Sequence, residues 1–400
     1  MALRGVFRSH SGLAGERETD LSARVLMTMP GGMATMLALS SGMPSSPAIN
    51  TSWSWIEDAH ISGNQTVVTG GNSAATDIVF DDAGIWIPGQ VLMNEVTGEY
   101  VLVTAVNADG ITVTLLRGFA GTTAQTITAA DTFQSLGTAF AEGSDRPAPV
   151  TQKGAERTNY VQIFKNAWAI TGTARAVKYI TGNQTAHNRE MCFAYHAEDI
   201  ERAMLWGRKS VSVVGGNQMH TSNGLVTQVE QYGGLVVSAN SGGVAGQLTL
   251  KDLQNFMRRI FDVNAKGMPN ERIAFCGSNL LELIQQMVML DTTYNVEANE
   301  TEYGMKVTKI NGFNGSLSFV THPMMVENAK WQRELYVFHP GLIKKRVLRP
   351  TWTEEFGAEK QNNNGRDAVE GYIADELGFE LRGAKTMGIY KNIQTAAASY

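Results

Sequence analysis

The feature that most constrains the fold is a strand followed at once by a helix, near the middle of the chain. From Tyr160 to Ile170 bulky side chains occupy every second position, the pattern of a long β-strand with one bulky face. A Thr-Gly-Thr run ends this alternation, and a long amphipathic helix is predicted over residues 185–207. Such an arrangement can support either an active site or an assembly surface, so the rest of the chain must decide between them.

The predicted helix carries an apolar stripe along one side. Its members recur at spacings of four, three and four residues, as on an α-helix, and are Phe193, Ala197, Ile200 and Met204. Thr185 is placed to cap the start of the helix and Gly207 to end it. We therefore expect this stripe to pack on a sheet and to form the core of the helix interface.

A second region, residues 63–138, reads as a small all-β domain. Short strand patterns recur there at intervals of about ten residues, and no helix is needed. Thr97-Gly98 and Asp109-Gly110 mark turns, and the second pair is a strong hairpin signal. The sequence therefore predicts a separable barrel or sandwich inserted between the two halves of a longer hairpin.

Composition excludes several classes of protein. The chain is 43% hydrophobic and 18% charged, which is ordinary for a globular protein. Its net charge of −5 argues against a protein that coats nucleic acid by charge alone. The two cysteines lie far apart in sequence, so no disulfide framework is expected. No early apolar run is long enough to span a bilayer, and we expect no membrane association.

A search for catalytic chemistry returns no complete set of residues. The sequence lacks a phosphate-binding glycine loop, a nucleophile elbow and a zinc-protease motif. His196, Glu198 and Asp199 do not all share one helix face, and two converging ligands are too few for a metal site. The sequence therefore predicts no catalytic residues, no metal ligands, no cofactor-binding residues and no cofactor.

One alternative for catalysis stays open. His339 ends a strand pattern, and an enzyme acting on a polymer would use it with Glu354 or Glu355. However, adjacent residues of a strand point to opposite faces, so the two carboxylates would serve different surfaces. The nearby basic run, residues 342–350, lacks interleaved aromatic residues and is a weak nucleic-acid signal.

Several stretches resemble segments of tailed-bacteriophage major capsid proteins, which have the Hong Kong 97-type fold. "TNYVQIFKNAWAITGTARAVKY" is similar to the segment that returns from the extended loop into the peripheral domain. "AEDIERAMLWG" looks like the end of the spine helix, and "YGMKVTKINGFNGSLSFVTHPMM" like a strand pair of the axial domain. "TLLRGFAGTTAQ" resembles a hairpin of the extra β-domains that some members carry in the extended loop. The resemblance covers about residues 150–400.

This resemblance implies an α+β Hong Kong 97-type capsid fold with a small all-β domain inserted in the extended loop. The implied parts are an N-terminal arm (1–50), an extended loop (51–157) carrying the β-domain (63–138), a peripheral domain (158–247) with the spine helix (185–207), an axial domain (248–345), and a return to the peripheral domain (346–400).

The resemblance also implies a function. The chain would be a major capsid protein without catalysis, which self-assembles into hexamers and pentamers of an icosahedral shell around double-stranded DNA. Its location would be the virion, assembled in the host bacterial cytoplasm. Implied partners are further copies of the chain, portal and scaffolding proteins, a decoration protein, and packaged DNA bound non-specifically on the inner surface.

Two further expectations accompany that function. The alternative is another virion component, such as a decoration or tail protein, which the β-rich insert at 63–138 would suit. The candidate intersubunit or surface contacts are Trp86, Arg117, Phe119, Lys344, Arg346, Glu354 and Glu355.

Overall fold

The structure of the chain is a computed structural model that describes most of the 400 residues. The described residues are 45–58, 63–81, 86–147, 149, 154–179, 182–265, 267–290, 296–302, 305–312, 314–356 and 367–396. Most of the predicted N-terminal arm, residues 1–44, lies outside them. Two compact units share the chain, one formed by Met1–Trp55 with Thr158–Tyr400 and the other by Ile56–Arg157.

Two strands lead into the second unit, and a third leads out of it. Strands β1 (Ser45–Pro47) and β2 (Ser52–Glu57) come first, and β2 pairs with β9 (Ala155–Tyr160). Between them a closed barrel has the strand order β3-β4-β7-β6-β5-β8. Its strands are β3 (Asn64–Thr69), β4 (Asp77–Phe80), β5 (Gln90–Asn94), β6 (Tyr100–Val106), β7 (Thr112–Leu116) and β8 (Thr132–Thr138), and a 3-10 turn covers Phe119–Gly121.

The barrel forms because its strands alternate between a buried and a more exposed face. Val101 and Val103 of β6 and Val113 and Leu115 of β7 point into one closed core. The predicted hairpin at Asp109-Gly110 is confirmed, since β6 and β7 pair in antiparallel fashion around it. Gly110 has a φ of 73°, a conformation that a side chain disfavours.

A four-stranded sheet in the first unit has the order β1-β22-β23-β10. Its long strands are β10 (Gln162–Thr171), β22 (Ile343–Phe356) and β23 (Ala368–Leu381). The predicted alternation along β10 is confirmed, because Phe164, Trp168 and Ile170 are buried on one face. This sheet is the platform on which the long helix lies.

The helices of the described chain differ greatly in length, and one of them dominates. They are α1 (Gly172–Ala176), α2 (Gln184–Trp206), α3 (Leu225–Gln231), α4 (Leu250–Phe261), α5 (Ser278–Leu290) and α6 (Pro323–Glu327). At 23 residues, α2 is roughly 34 Å long. Its cap is Asn183, whose side chain accepts hydrogen bonds from the N–H groups of Thr185 and Ala186, so Thr185 is not the cap. None of these described helices is long and apolar enough to cross a membrane.

The predicted stripe on α2 is wrong at its first member. Phe193 is 37% exposed, and Ala197 is only half-buried, whereas Ile200 and Met204 are buried. The buried face of α2 instead includes the polar residues His196 and Glu201. A stripe traced through apolar residues alone therefore follows a line that is rotated away from the true contact face.

The second sheet of the first unit has seven strands in the order β13-β24-β21-β17-β20-β19-β18. They are β13 (Leu235–Ser238), β17 (Glu271–Cys276), β18 (Val296–Glu302), β19 (Met305–Gly312), β20 (Gly315–Thr321), β21 (Leu335–Phe338) and β24 (Gly388–Lys391). Phe256 and Ile260 of α4 and Leu280 and Ile284 of α5 pack into the core that this sheet shares with them.

Short elements complete the first unit. The strands are β11 (Ser210–Val214), β12 (Asn217–Thr221), β14 (Asn240–Ser241), β15 (Val244–Ala245), β16 (Gln247–Leu248) and β25 (Thr395–Ala396), and 3-10 turns cover Trp331–Arg333, Pro340–Leu342 and Ala384–Thr386. β11 and β12 form a hairpin of their own, β14 pairs with β15, and β16 with β25.

Two strands of the seven-stranded sheet come from outside residues 248–345, the range of the predicted axial domain. β13 lies inside the predicted peripheral domain (158–247), and β24 lies inside the predicted return (346–400), yet both belong to the seven-stranded sheet. β24 pairs with β13 on one side and with β21 on the other, which buries Ile389 and Tyr390. These pairings join segments about 150 and 50 residues apart in sequence, beyond the reach of local pattern. The predicted α+β class itself is confirmed by the mixture of helices and sheets.

Candidate functional site

The buried ionisable residues of the first unit form structural links. Among the described residues, no group of three or more His, Cys, Asp or Glu side chains is placed to hold a metal ion. Several of the buried polar groups lie where α2 contacts the two sheets, and each of these can be followed from its element to its partner.

His196 links α2 to the four-stranded sheet. Its Nδ1 lies 2.8 Å from Asn166 Oδ1, and its Nε2 lies 2.9 Å from Asp375 Oδ2. Asn166 donates from Nδ2 to Asp199 Oδ2 at 2.9 Å, which fixes its oxygen toward the imidazole. Both ring nitrogens therefore face side-chain oxygens that can accept a hydrogen bond.

Asp375 is the anion of this link. Burial by itself raises the pKa of its carboxyl, but hydrogen bonds donated by His196 and by Thr351 Oγ1 outweigh burial, and the net shift is downward. The Thr351 hydroxyl donates to Asp375 Oδ1 at 2.6 Å. The carboxylate thus stays ionised in the protein interior and stabilises the contact between α2 and β23.

His322 links α2 to the seven-stranded sheet. Its Nε2 lies 2.6 Å from Glu201 Oε1, and both side chains are fully buried. His322 follows β20, and its backbone N–H donates to Cys276 O at 2.9 Å. The rings of Trp206 and Phe275 meet the imidazole edge-on, at centroid distances of 6.4 and 5.8 Å. This pair therefore positions the helix without an open path to solvent.

The end of α2 makes a third link through Trp206. Its ring stacks on Trp331 with a centroid distance of 3.7 Å and an interplanar angle of 7°. Its Nε1 donates to the Tyr336 hydroxyl at 3.0 Å, and that hydroxyl donates to Glu334. Burial, and next to it the Glu334 charge, raises the pKa of Tyr336. Helix α2 is thus fastened to both sheets by directional bonds.

The residues of the enzymatic alternative have structural partners as well. His339 is buried, its Nε2 lies 3.2 Å from Pro269 O, and its Nδ1 accepts the Gly341 N–H. Burial lowers the pKa of His339. Glu354 accepts the Tyr372 hydroxyl at 2.7 Å, and Glu355 accepts Arg189 Nη1 at 3.0 Å. None of these hydrogen bonds joins the histidine to either glutamate.

Trp86 and Arg117 were predicted to be intersubunit or surface contacts, and for both the prediction is wrong because their side chains are buried. Trp86 is buried in the barrel core, where its ring lies 4.5 Å from that of Phe80. The Arg117 side chain is almost fully buried, and its guanidinium donates to both Glu99 oxygens, at 2.9 and 2.7 Å. Arg117 also donates to the carbonyl groups of Ala75 and Gln125, so the ion pair and these hydrogen bonds together satisfy a buried charged side chain. Phe119 is half-buried in the neighbouring 3-10 turn.

Glu99 is the ion-pair partner of Arg117, and the sequence analysis did not identify it. Burial raises the pKa of its carboxyl, but the hydrogen bonds from Arg117, from Gln125 N–H and from Gly118 N–H outweigh burial, so the net shift is downward. An acidic residue directly after the Thr97-Gly98 turn gives no sequence signal of burial. The signal available was the isolated Arg117 at the end of an apolar strand.

The other predicted contacts lie on β22. Arg346 is half-buried and donates from Nε to Glu380 Oε2 at 2.7 Å, so it forms an ion pair within the chain. Lys344 is half-buried, whereas Glu354 and Glu355 are exposed. For Phe119, Lys344, Arg346, Glu354 and Glu355 a role in intersubunit contacts stays a prediction.

Several large apolar side chains of the first unit are exposed on its surface. Four of them lie on the β11–β12 hairpin: Val211, Val213, Val214 and Met219. Ile163 of β10 and Tyr195 of α2 are exposed as well. Exposed apolar surface of this kind is typical of proteins that bind other proteins.

Comparison with known proteins decides between a catalytic and a structural role. The family model described as SU10 major capsid protein matches residues 8–394, nearly the whole chain. The chain belongs to this family. The predictions that it is a bacteriophage major capsid protein and is not an enzyme are thereby confirmed.

The chain is also similar to individual phage proteins. This capsid protein is similar to the major capsid protein of Pseudomonas phage PaMx41, with 29% identity over 392 residues, 94% of this chain and 93% of that protein. Among solved structures, the capsid of cyanophage P-SCSP1u is 12% identical over 99% of this chain and 100% of that chain, with a TM-score of 0.48. The capsid of Myoviridae phage XM1 is 9% identical over 97% of this chain and 99% of that chain, with a TM-score of 0.47.

Proposed function

We propose that the chain self-assembles into hexameric and pentameric capsomers, and that these form an icosahedral shell around double-stranded DNA. The observation that carries this proposal is the match to a family of major capsid proteins over residues 8–394. A capsid of this type is built from many identical copies related by symmetry. The shell would be assembled in the host bacterial cytoplasm, with portal and scaffolding proteins and with a decoration protein as a further partner.

The buried links of α2 support this role physically. A shell subunit transmits contacts from one edge of the molecule to another, which requires a rigid frame. The fully buried His322–Glu201 pair holds the helix by a contact that neighbouring copies cannot reach. Exposed apolar side chains such as Val213 then remain for contacts between copies.

The proposed contact with DNA is weak and independent of base sequence. The net charge is −5, from 33 basic and 38 acidic residues, so charge alone gives no strong attraction to the phosphate backbone. We expect the DNA to be retained mainly by enclosure, with non-specific contacts to the inner surface.

The test is expression of the chain alone and together with the phage scaffolding protein, followed by electron microscopy and sedimentation. We expect closed shells or capsomer rings of five and six copies. A folded chain that stays monomeric in both cases, and that is present in few copies per virion, would overturn the proposal.

A further inference from the structure

The free edge of β10 is bordered by a groove that has the properties of a strand-binding site. β10 is an edge strand of its sheet, and among the described residues only β23 pairs with it. Five successive residues, 162–166, line the groove, which encloses about 490 Å³. Successive residues of a strand point to opposite faces, so a groove lined by all five runs along the strand edge.

This edge lacks the usual protection against pairing. Natural edge strands are commonly short, or carry proline and charged residues that discourage another strand. β10 has ten residues, contains no proline, and carries one charged residue, Lys165. The Lys165 ammonium lies 4.1 Å from the centre of the Tyr372 ring, and so already has an intrachain contact.

The opposite wall of the groove is aromatic and its charges are paired. It is formed by Ala203 and Trp206 of α2 together with Trp331. Arg202, also at the groove, is bonded to Glu198 at 2.9 Å and to Asp199 at 3.4 Å. An uncharged extended segment with apolar side chains therefore matches the groove better than a nucleic acid or a charged peptide does.

The β11–β12 hairpin has the matching properties. No residue from Ser210 to Thr221 carries a charge, apart from the titratable His220, and apolar side chains are exposed on both faces. The turn is Gly215-Gly216, with φ values of 58° and 82°, as a two-residue hairpin turn requires. An isolated two-stranded hairpin is marginally stable in water, so this one gains stability from a partner.

The base of the hairpin is held by buried hydrogen bonds, whereas residues 211–219 are exposed. Asn223 is fully buried, and its N–H donates to Asn159 Oδ1 at 2.8 Å. Asn159 Nδ2 and Gln228 Nε2 donate to Asn223 O, at 3.2 and 2.8 Å. Thr221 Oγ1 donates to Arg208 O at 2.7 Å. A hairpin with a fixed base and exposed apolar strands has the form of a docking element.

We propose that the β11–β12 hairpin of one copy of this chain binds the β10 edge groove of a second copy and adds a strand to its sheet. Within one chain the base of the hairpin lies near the start of β10, where the rings of Tyr160 and His220 are 5.5 Å apart. Ser222 N–H donates to Gln162 Oε1 at 3.0 Å, so the base lies beside that groove, yet Val211 and Val213 remain exposed. A five-residue strand of the hairpin is about 17 Å long, which matches the five residues of β10 that line the groove. This inference rests on the proposed self-assembly.

The first test is a matched pair of substitutions. Val213→Asp places a charge on the hairpin, where the side chain is 72% exposed, and Val96→Asp does the same at a barrel turn, where it is 69% exposed. Both variants should have the unfolding midpoint of the wild type. We expect at least a tenfold loss of particles for Val213→Asp and no loss for Val96→Asp. Equal particle yields from the two variants would overturn the proposal.

The second test locates the contact directly. Cysteine is introduced at Ile163 in the groove and, in separate variants, at Val211, Val213 or Met219 of the hairpin. The two native cysteines are buried, and burial raises the pKa of both thiols, to about 12 for Cys276, so they stay unreactive. Oxidised particles should contain disulfide-linked dimers in at least one double variant and in none of the corresponding single variants.

The outcomes separate this inference from the proposed function. If the wild-type chain forms shells but none of the double-cysteine variants forms disulfide-linked dimers, the proposed hairpin contact is wrong and the proposed self-assembly stands. Wild-type chain that forms no particle under any condition would overturn both.

Discussion

Replacing Arg117 by methionine removes the cation that neutralises a buried carboxylate in the barrel. Glu99 accepts two bonds from Arg117, at 2.9 and 2.7 Å, and would keep only the N–H groups of Gly118 and Gln125, both at 3.0 Å. Breaking a buried ion pair from one side costs about 3–5 kcal/mol, because the remaining charge stays buried. The two retained N–H groups place the expected loss at the lower end, about 3 kcal/mol.

The loss can be measured on the isolated unit Ile56–Arg157, which has its own core. Trp86 is the single tryptophan of this segment, and its ring lies against Phe80, so its fluorescence reports the packing of the barrel. For a domain of about 100 residues, each kcal/mol shifts the Tm by roughly 4–8 °C. We therefore expect the Tm of Arg117→Met to fall by about 12–24 °C.

A double-mutant cycle identifies the cause of that loss. Arg117→Met combined with Glu99→Met leaves no charge buried without its partner, so the double variant should be more stable than Arg117→Met alone. If Arg117→Met melts within about 2 °C of the wild type with the barrel intact, a shift that corresponds to under about 0.5 kcal/mol, the ion pair does not stabilise the barrel and the reasoning is wrong.

Two further predictions concern the contacts of α2. In the full chain, Met204→Ala should lower the free energy of unfolding by about 2–5 kcal/mol, because Met204 is buried. Phe193→Ala should lower it by under about 1 kcal/mol, because Phe193 is exposed. Equal losses in urea unfolding would contradict the assigned buried face of α2. Because the folded pKa of Asp375 is depressed, its stabilisation is complete above the unfolded pKa of about 3.9 and is lost as the pH falls through the lower folded value. Asp375→Asn should therefore be less stable at pH 7 and less sensitive to acid, and unfolding midpoints at pH 7, 4 and 2.5 check this.

The sequence alone predicts the local elements of this capsid protein. Alternation over Tyr160 to Ile170, the long helix after it and the turn at Asp109-Gly110 all depend on neighbours within a few residues. A short helix, Leu225–Gln231, was not predicted, because the glycine- and valine-rich sequence around it favours strands and loops.

Features that depend on distant partners could not be predicted. Periodicity assigns polar residues to solvent, whereas His196 and Glu201 are buried because Asp375 and His322, 179 and 121 residues further along the chain, satisfy them. For the same reason the buried face of α2 was placed on Phe193. The predicted surface contacts failed for the same reason: Arg117 was assigned to the surface because it is charged, although its distant partner Glu99 allows it to be buried.

The pairing of β2 with β9 brings together the two points at which the chain enters and leaves the barrel unit. Arg157 and Glu57, one on each strand, lie 4.0 Å apart. A segment whose ends are already held side by side can be exchanged for another domain with adjacent termini at little cost in loop-closure entropy. The barrel is therefore a unit that can be exchanged for another domain in every copy of the chain without moving the two points at which the chain enters and leaves it.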